Sequence, residues 1–139
     1  MDSRVQRIRT EAAIAAVTYT SQKKVEMDSY GGSWVIFRGF LLPPGYSQSR
    51  TDLMLKLPAS YPRTAPDFFW TARGLRKADG KLPDHYIEHW DKFNDLHKIG
   101  WATCSLHIRS WRPHFDPSKG HNLSTVCQLA QEAFRRWLK

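Results

Sequence analysis

Cys104 stands in the run Trp101-Ala-Thr-Cys104-Ser-Leu-His107-Ile-Arg-Ser-Trp111-Arg-Pro113, with His97 upstream and His107 three residues downstream. A cysteine thiolate is intrinsically a strong nucleophile, and its thioesters stay reactive towards amines and other thiolates. An incoming amine must also lose a proton, which a nearby imidazole can shuttle. These residues therefore point to acyl transfer through Cys104, with His107 and His97 as candidate helpers. The plain alternatives stand beside that reading. An isolated cysteine is most often a small buried hydrophobe, and His107 would serve equally well as a surface or capping residue. Cys127 falls on the apolar stripe of a terminal helical segment, where a free cysteine packs as a hydrophobe.

A second motif is His85-Tyr-Ile-Glu88-His89. On a helix, His85 and His89 would share one face and could bind zinc, with Glu88 as base. A third ligand is needed, and Asp116 or His121 would be arbitrary choices. Short patterns of this kind arise by chance in histidine-rich loops, so no metal and no cofactor is expected.

The elements that must position these residues follow from periodicity. Residues 3–17 read as a helix with a Ser3–Gln6 capping box, because Val5, Ile8, Ala12, Ala15 and Ala16 share one stripe at helical spacing. Arg4, Arg7 and Arg9 decorate the remainder. Strands are expected at Lys23–Met27, Trp34–Leu42, Leu53–Leu57 and Phe68–Thr71, each closed by glycine or proline or following the Tyr61-Pro62 turn. Residues 72–100 are polar and irregular, with a short helix possible over Asp84–Phe93. Asn122 or Ser124 can cap a last helix to Leu138. Its apolar stripe holds Leu123, Val126, Cys127, Ala130, Ala133, Phe134 and Trp137. A helix followed by a strand meander is α+β with an antiparallel sheet.

Two blocks together carry a family resemblance. Tyr61-Pro62-Arg-Thr-Ala-Pro66 runs into Phe68-Phe69-Trp70, and Cys104 precedes Trp111-x-Pro113. This pairing resembles ubiquitin-conjugating enzymes of the UBC superfamily, and more closely their prokaryotic branch. The resemblance implies one UBC-like domain over residues 1–139, with an N-terminal helix, a four-stranded meander, a catalytic-cysteine segment, one C-terminal helix and an insertion at about 72–100. It implies that Cys104 accepts a ubiquitin-like modifier from an activating enzyme and passes it to a target amine. The activating enzyme would dock on Arg4, Arg7 and Arg9 of the first helix, and the pathway would serve antiphage defence. The family's His-Pro-Asn motif is missing. Asn94 or His97 lies in the region, but neither matches its spacing. In the family that asparagine supplies a hydrogen-bond donor to the oxyanion of the transfer step. A catalytically inactive UBC-fold binding module is the alternative from another class. Tyr61, Pro62, Pro66, Trp111 and Pro113 read as scaffold on either account.

The bulk composition sets bounds on these readings. A chain of 139 residues with 41% hydrophobic content can bury one real core. No apolar run approaches the roughly 20 residues of a membrane span, and no secretory leader is expected. Two cysteines in such a chain fit reduced thiols in the cytoplasm. The net charge of +8 raises nucleic-acid binding as a third reading. Its basic residues are scattered and no nucleic-acid motif accompanies them, so an acidic partner or a solvated surface explains the charge better.

Overall fold

Residues 3–138 are described by a computed structural model. The apolar stripe of the first segment does form a helix, α1 (Ser3–Tyr19), and buries Val5, Ile8, Ala12, Ala15 and Ala16. Ser3, expected to cap this helix, is its first residue. The strands β1 (Val25–Met27), β2 (Trp34–Leu41), β3 (Arg50–Lys56) and β4 (Phe68–Ala72) follow in sequence. Then come β5 (Tyr86–Ile87), a 3-10 turn (Asp91–Phe93), α2 (Asn94–Lys98), β6 (Trp101–Ser105) and α3 (Leu123–Arg136).

The four expected strands are present, but the described residues form six. The sheet order is β1-β2-β3-β4-β6-β5, with every pair antiparallel. The segment around Cys104 is therefore a strand, not a loop. Its burial runs without alternation from Ala102 through Cys104, because the helices cover one face and the 72–100 region covers the other. A strand buried on both faces gives no period-2 signal. The 72–100 region likewise carries regular elements, namely β5, the 3-10 turn and α2. The helix expected over Asp84–Phe93 is replaced by β5, and helical residues begin only at Asp91. His85 adopts a φ of 58°, in the left-handed region, which breaks any helix there.

β3 starts earlier than expected because a bulge resets its register. Phe37 pairs with Leu53 while Phe40 pairs with Thr51, so β2 has one extra residue. Gly39 occupies that bulge with φ of 68°, and a Cβ there would meet Ser21 Oγ at 2.5 Å. Only glycine suits such a position. Its amide donates to Asp52 Oδ1 at 3.1 Å.

α1 and α3 lie side by side on one face of the sheet. Ala12, Ala15 and Ala16 of α1, with Ala130 and Ala133 of α3, are buried in this layer. α3 carries the expected stripe, from Leu123 to Trp137 just past its end, all of it buried. Its N-terminus is closed by a reciprocal box between Asn122 and Thr125, which satisfies two backbone donors that would otherwise be orphaned. The opposite face of the sheet holds a second, smaller cluster. There Ile36, Met54 and Trp70 pack under Phe93 and Leu96 from the 72–100 region. No helix among the described residues is long and apolar enough to cross a membrane.

Candidate functional site

The two sequence blocks meet in space through a half-buried hydrogen bond and a ring contact. Trp111 Nε1 donates to the Pro62 carbonyl at 2.7 Å, and its ring lies 6.1 Å from that of Tyr61. The Tyr61 hydroxyl donates to Glu11 Oε1. The same carboxylate oxygen accepts the Leu123 amide of α3 at 2.9 Å, and Glu11 Oε2 accepts from Arg7 Nε at 2.7 Å. Glu11 is only 1% exposed. Burial first, and the Glu11 charge second, push the Tyr61 hydroxyl well above its ordinary pKa, so it stays a neutral donor. A single buried carboxylate thus ties α1, the Tyr61-Pro62 turn and the start of α3 together. Tyr61, Pro62 and Trp111 act as scaffold here.

Cys104 faces that helix-covered core. Along β6 it pairs with Phe69 on one side and Tyr86 on the other. Phe69 in turn lies against the rings of Phe134 and Trp137, at 5.5 and 5.8 Å. The residue is 0% exposed. Burial pushes its thiol strongly upward, and a hydrogen bond with the Thr71 side chain opposes this only in part. A protonated, sealed thiol is neither nucleophile nor acceptor. Cys127 is also fully buried and its thiol is raised by burial. Both cysteines are free.

The two histidines lie away from this thiol. His107 follows β6, and its ring packs 5.8 Å from Phe68. Phe68 pairs with Ser105 and joins the cluster around Trp70, on the face opposite Phe69 and Cys104. His107 Nδ1 is 2.8 Å from Asp67 Oδ1, and both side chains are about two-thirds exposed. Nδ1–H can donate to the Asp67 carboxylate, and the pair stands away from the thiol. His97 belongs to α2 and is buried. Its Nδ1 donates to the Trp101 carbonyl at 2.8 Å, while Nε2 has no partner among the described residues. Asn94 opens α2 and is exposed. The structure brings His107 together with Asp67, and it does not bring His97 or His107 to the Cys104 side of the sheet.

The His85–His89 motif also resolves differently from a zinc site. Tyr86 and Ile87 between its ends are strand residues, so the required helix is not formed. Glu88 accepts from Arg76 at 3.0 and 3.1 Å, from the Gly74 amide at 2.9 Å and from the Tyr86 hydroxyl at 2.7 Å. The Arg76 hydrogen bonds lead in holding its carboxyl down to about 2. His85 lies against Trp137, and His89 Nε2 meets Arg73 at 3.0 Å. Among the described residues no group of three or more His, Cys, Asp or Glu is placed to hold a metal.

The three helix arginines are not equivalent. Arg4 donates to the carbonyls of Gly31, Pro58 and Tyr61 at 2.8–2.9 Å. Arg7 pairs with Glu11 and also reaches the Phe115 carbonyl at 3.3 Å. Arg9 is exposed on the helix surface. Two of the three therefore brace the fold, and Arg9 is the one turned to solvent.

Sequence reasoning missed Asp67, whose partner lies 40 residues away. It also missed the aromatic group of Phe68, Trp90 and Phe93. The available signal was the Trp90-x-x-Phe93 spacing within an otherwise polar stretch.

Comparison with protein families places residues 17–136 in prokaryotic E2 family E. No curated protein and no solved structure matches the chain. The matched region covers most of the sequence, and the chain belongs to this family. Membership supports a ubiquitin-conjugating-like role and, with it, interaction with a ubiquitin-like modifier and an activating enzyme.

Proposed function

We propose that the chain serves ubiquitin-like conjugation as a UBC-fold binding module, holding pathway proteins without carrying the modifier as a thioester. The observation that supports this reading is the position of Cys104. Its side chain is 0% exposed on the helix-covered face of the sheet, with its thiol held protonated. Transfer would need that sulfur ionised and open to a partner's carbonyl. A docking role needs neither. The exposed Arg9 offers the activating enzyme a point of contact, and the two free cysteines fit a reducing cytoplasm.

The test is calorimetric titration of the chain with its modifier in reductant, using wild type and Cys104→Ala. Equal affinity in both supports the module. Loss of affinity in a natively folded Cys104→Ala would overturn it.

The second reading is the thioester enzyme, favoured by family membership and by the spacing of Cys104 to Trp111-x-Pro113. It requires β5, which is only two residues long, and the Phe134–Trp137 end of α3 to move off Cys104. Under it the modifier passes from the activating enzyme to Cys104 and then to a target amine, in a pathway directed against phage. Plating efficiency of phage on cells whose operon carries Cys104→Ala separates the two, since only the enzyme reading loses protection.

A further inference from the structure

We infer that the rings of Phe68, Trp90 and Phe93 form a cage for the ammonium of a lysine side chain from a partner protein, and that Lys92 occupies it in the free chain. Lys92 Nζ lies 5.3, 5.6 and 5.4 Å from the ring centroids of Phe68, Trp90 and Phe93. One cation over three aromatic rings is the arrangement by which aromatic cages recognise ammonium groups, through the negative faces of the rings.

The walls do not depend on Lys92. Phe68 and Trp90 stand 5.9 Å apart at 76°, Trp90 and Phe93 5.2 Å apart at 86°, and Phe68 and Phe93 5.3 Å apart at 67°. These edge-to-face pairs support one another. Trp70, 97% removed from solvent, buttresses Phe93 from beneath at 5.2 Å and 85°. The resident cation is loosely tethered by comparison. Lys92 is exposed, sits on the 3-10 turn between two of the walls, and can swing into water on its flexible stem. Trp90, 37% exposed, leaves one side of the cage open.

The surroundings fit a lysine rather than a free cation. An apolar groove of about 380 Å³ adjoins the cage and shares Phe68 and Phe93 with it; Pro58, Ala65 and Trp70 also line it, with Lys56 and the His107-bound Asp67 carboxylate among its lining. Such a groove takes the aliphatic stem and flanking residues of a peptide while the ammonium enters the rings. This inference stands on the ring geometry and not on the conjugation reading, so failure of modifier binding would leave it in place.

The experiment titrates N-acetyl-lysine methylamide, and its uncharged analogue N-acetyl-norleucine methylamide, into the chain. Shifts of the Phe68 and Phe93 backbone amides are followed by two-dimensional NMR. Lys92→Ala vacates the cage and should bind the lysine probe about 2- to 5-fold more tightly than wild type, the factor that one cation–π contact at an exposed site provides. The norleucine probe should bind more weakly than lysine to that variant. Trp90→Leu in the Lys92→Ala background keeps an apolar side chain, removes one of the three π-faces and should weaken binding of the lysine probe towards the norleucine level. Equal binding of the two probes to Lys92→Ala, or unchanged lysine binding after Trp90→Leu, would overturn the cage.

Discussion

Glu11 offers the sharpest test of how the two sequence blocks are held in place. Replacing it with alanine removes the acceptor for the Tyr61 hydroxyl, the Leu123 amide and Arg7 at once. Arg7 retains 14% side-chain exposure and keeps its contact with the Phe115 carbonyl, so part of its charge can be resolvated. The Leu123 amide and the Tyr61 hydroxyl have no such escape, and each stranded buried donor costs about 1–3 kcal/mol. Removing one partner of a buried ion pair costs about 3–5 kcal/mol, which overlaps that sum. Glu11→Ala should therefore lose about 3–5 kcal/mol of a total stability of about 5–15 kcal/mol. At about 2–4 °C per kcal/mol for a chain of this size, the melting temperature should fall by roughly 6–20 °C. Tyr61→Phe removes only one hydrogen bond to a charged group and should cost about 1.5–3 kcal/mol. Urea melts followed by circular dichroism on both single variants and the double variant give the coupling, expected at about 0.5–3 kcal/mol for groups in contact. Glu11→Gln, which keeps an acceptor at Oε1, should fall between wild type and alanine. A Glu11→Ala loss below about 1 kcal/mol, the size of an average substitution, would refute the tie between α1, the Tyr61 turn and α3.

Three further outcomes are expected. Because Glu88 is held to about 2 in the folded chain against an ordinary value of 4.5, its contribution is full above about pH 4.5 and lost as pH falls towards 2. Glu88→Gln should flatten that part of the curve of melting temperature against pH, and an unchanged curve would remove Glu88 from the account. A thiol-alkylating reagent should leave both cysteines untouched in native buffer and modify both in guanidinium. Rapid native labelling of Cys104, read by peptide mass, would contradict its burial. Arg9→Glu should weaken docking to the activating enzyme without moving the melting temperature, while Arg4→Ala should lower that temperature through the loss of its carbonyl contacts. Calorimetric titration and melts on the same samples check both halves.

Periodicity made much of the scaffold legible. The stripe of α1 and that of α3 are regular, and β2 is rich in branched and aromatic residues, so each element follows from its own segment. β6 was hidden because both its faces are covered, which erases alternation. The site was harder still, for a geometric reason. His107 lies three residues beyond Cys104, and along an extended chain an odd spacing turns two side chains to opposite faces. Closeness in sequence therefore separated the thiol from its supposed helper. Glu11 presented a different obstacle. A lone acid on an apolar stripe looks like a solvated charge, and its partners lie 50 and 112 residues away. Nothing local announces such contacts, and the same holds for Asp67 beside His107.

The most direct test of the binding-module reading is the intact mass of the chain after incubation with its activating enzyme, ATP and the ubiquitin-like modifier, without reductant. With the activating enzyme demonstrably charged, the account predicts an unchanged mass, because Cys104 stays sealed and protonated in the core. A thiol-labile adduct that disappears in Cys104→Ala and persists in Cys127→Ala would contradict it.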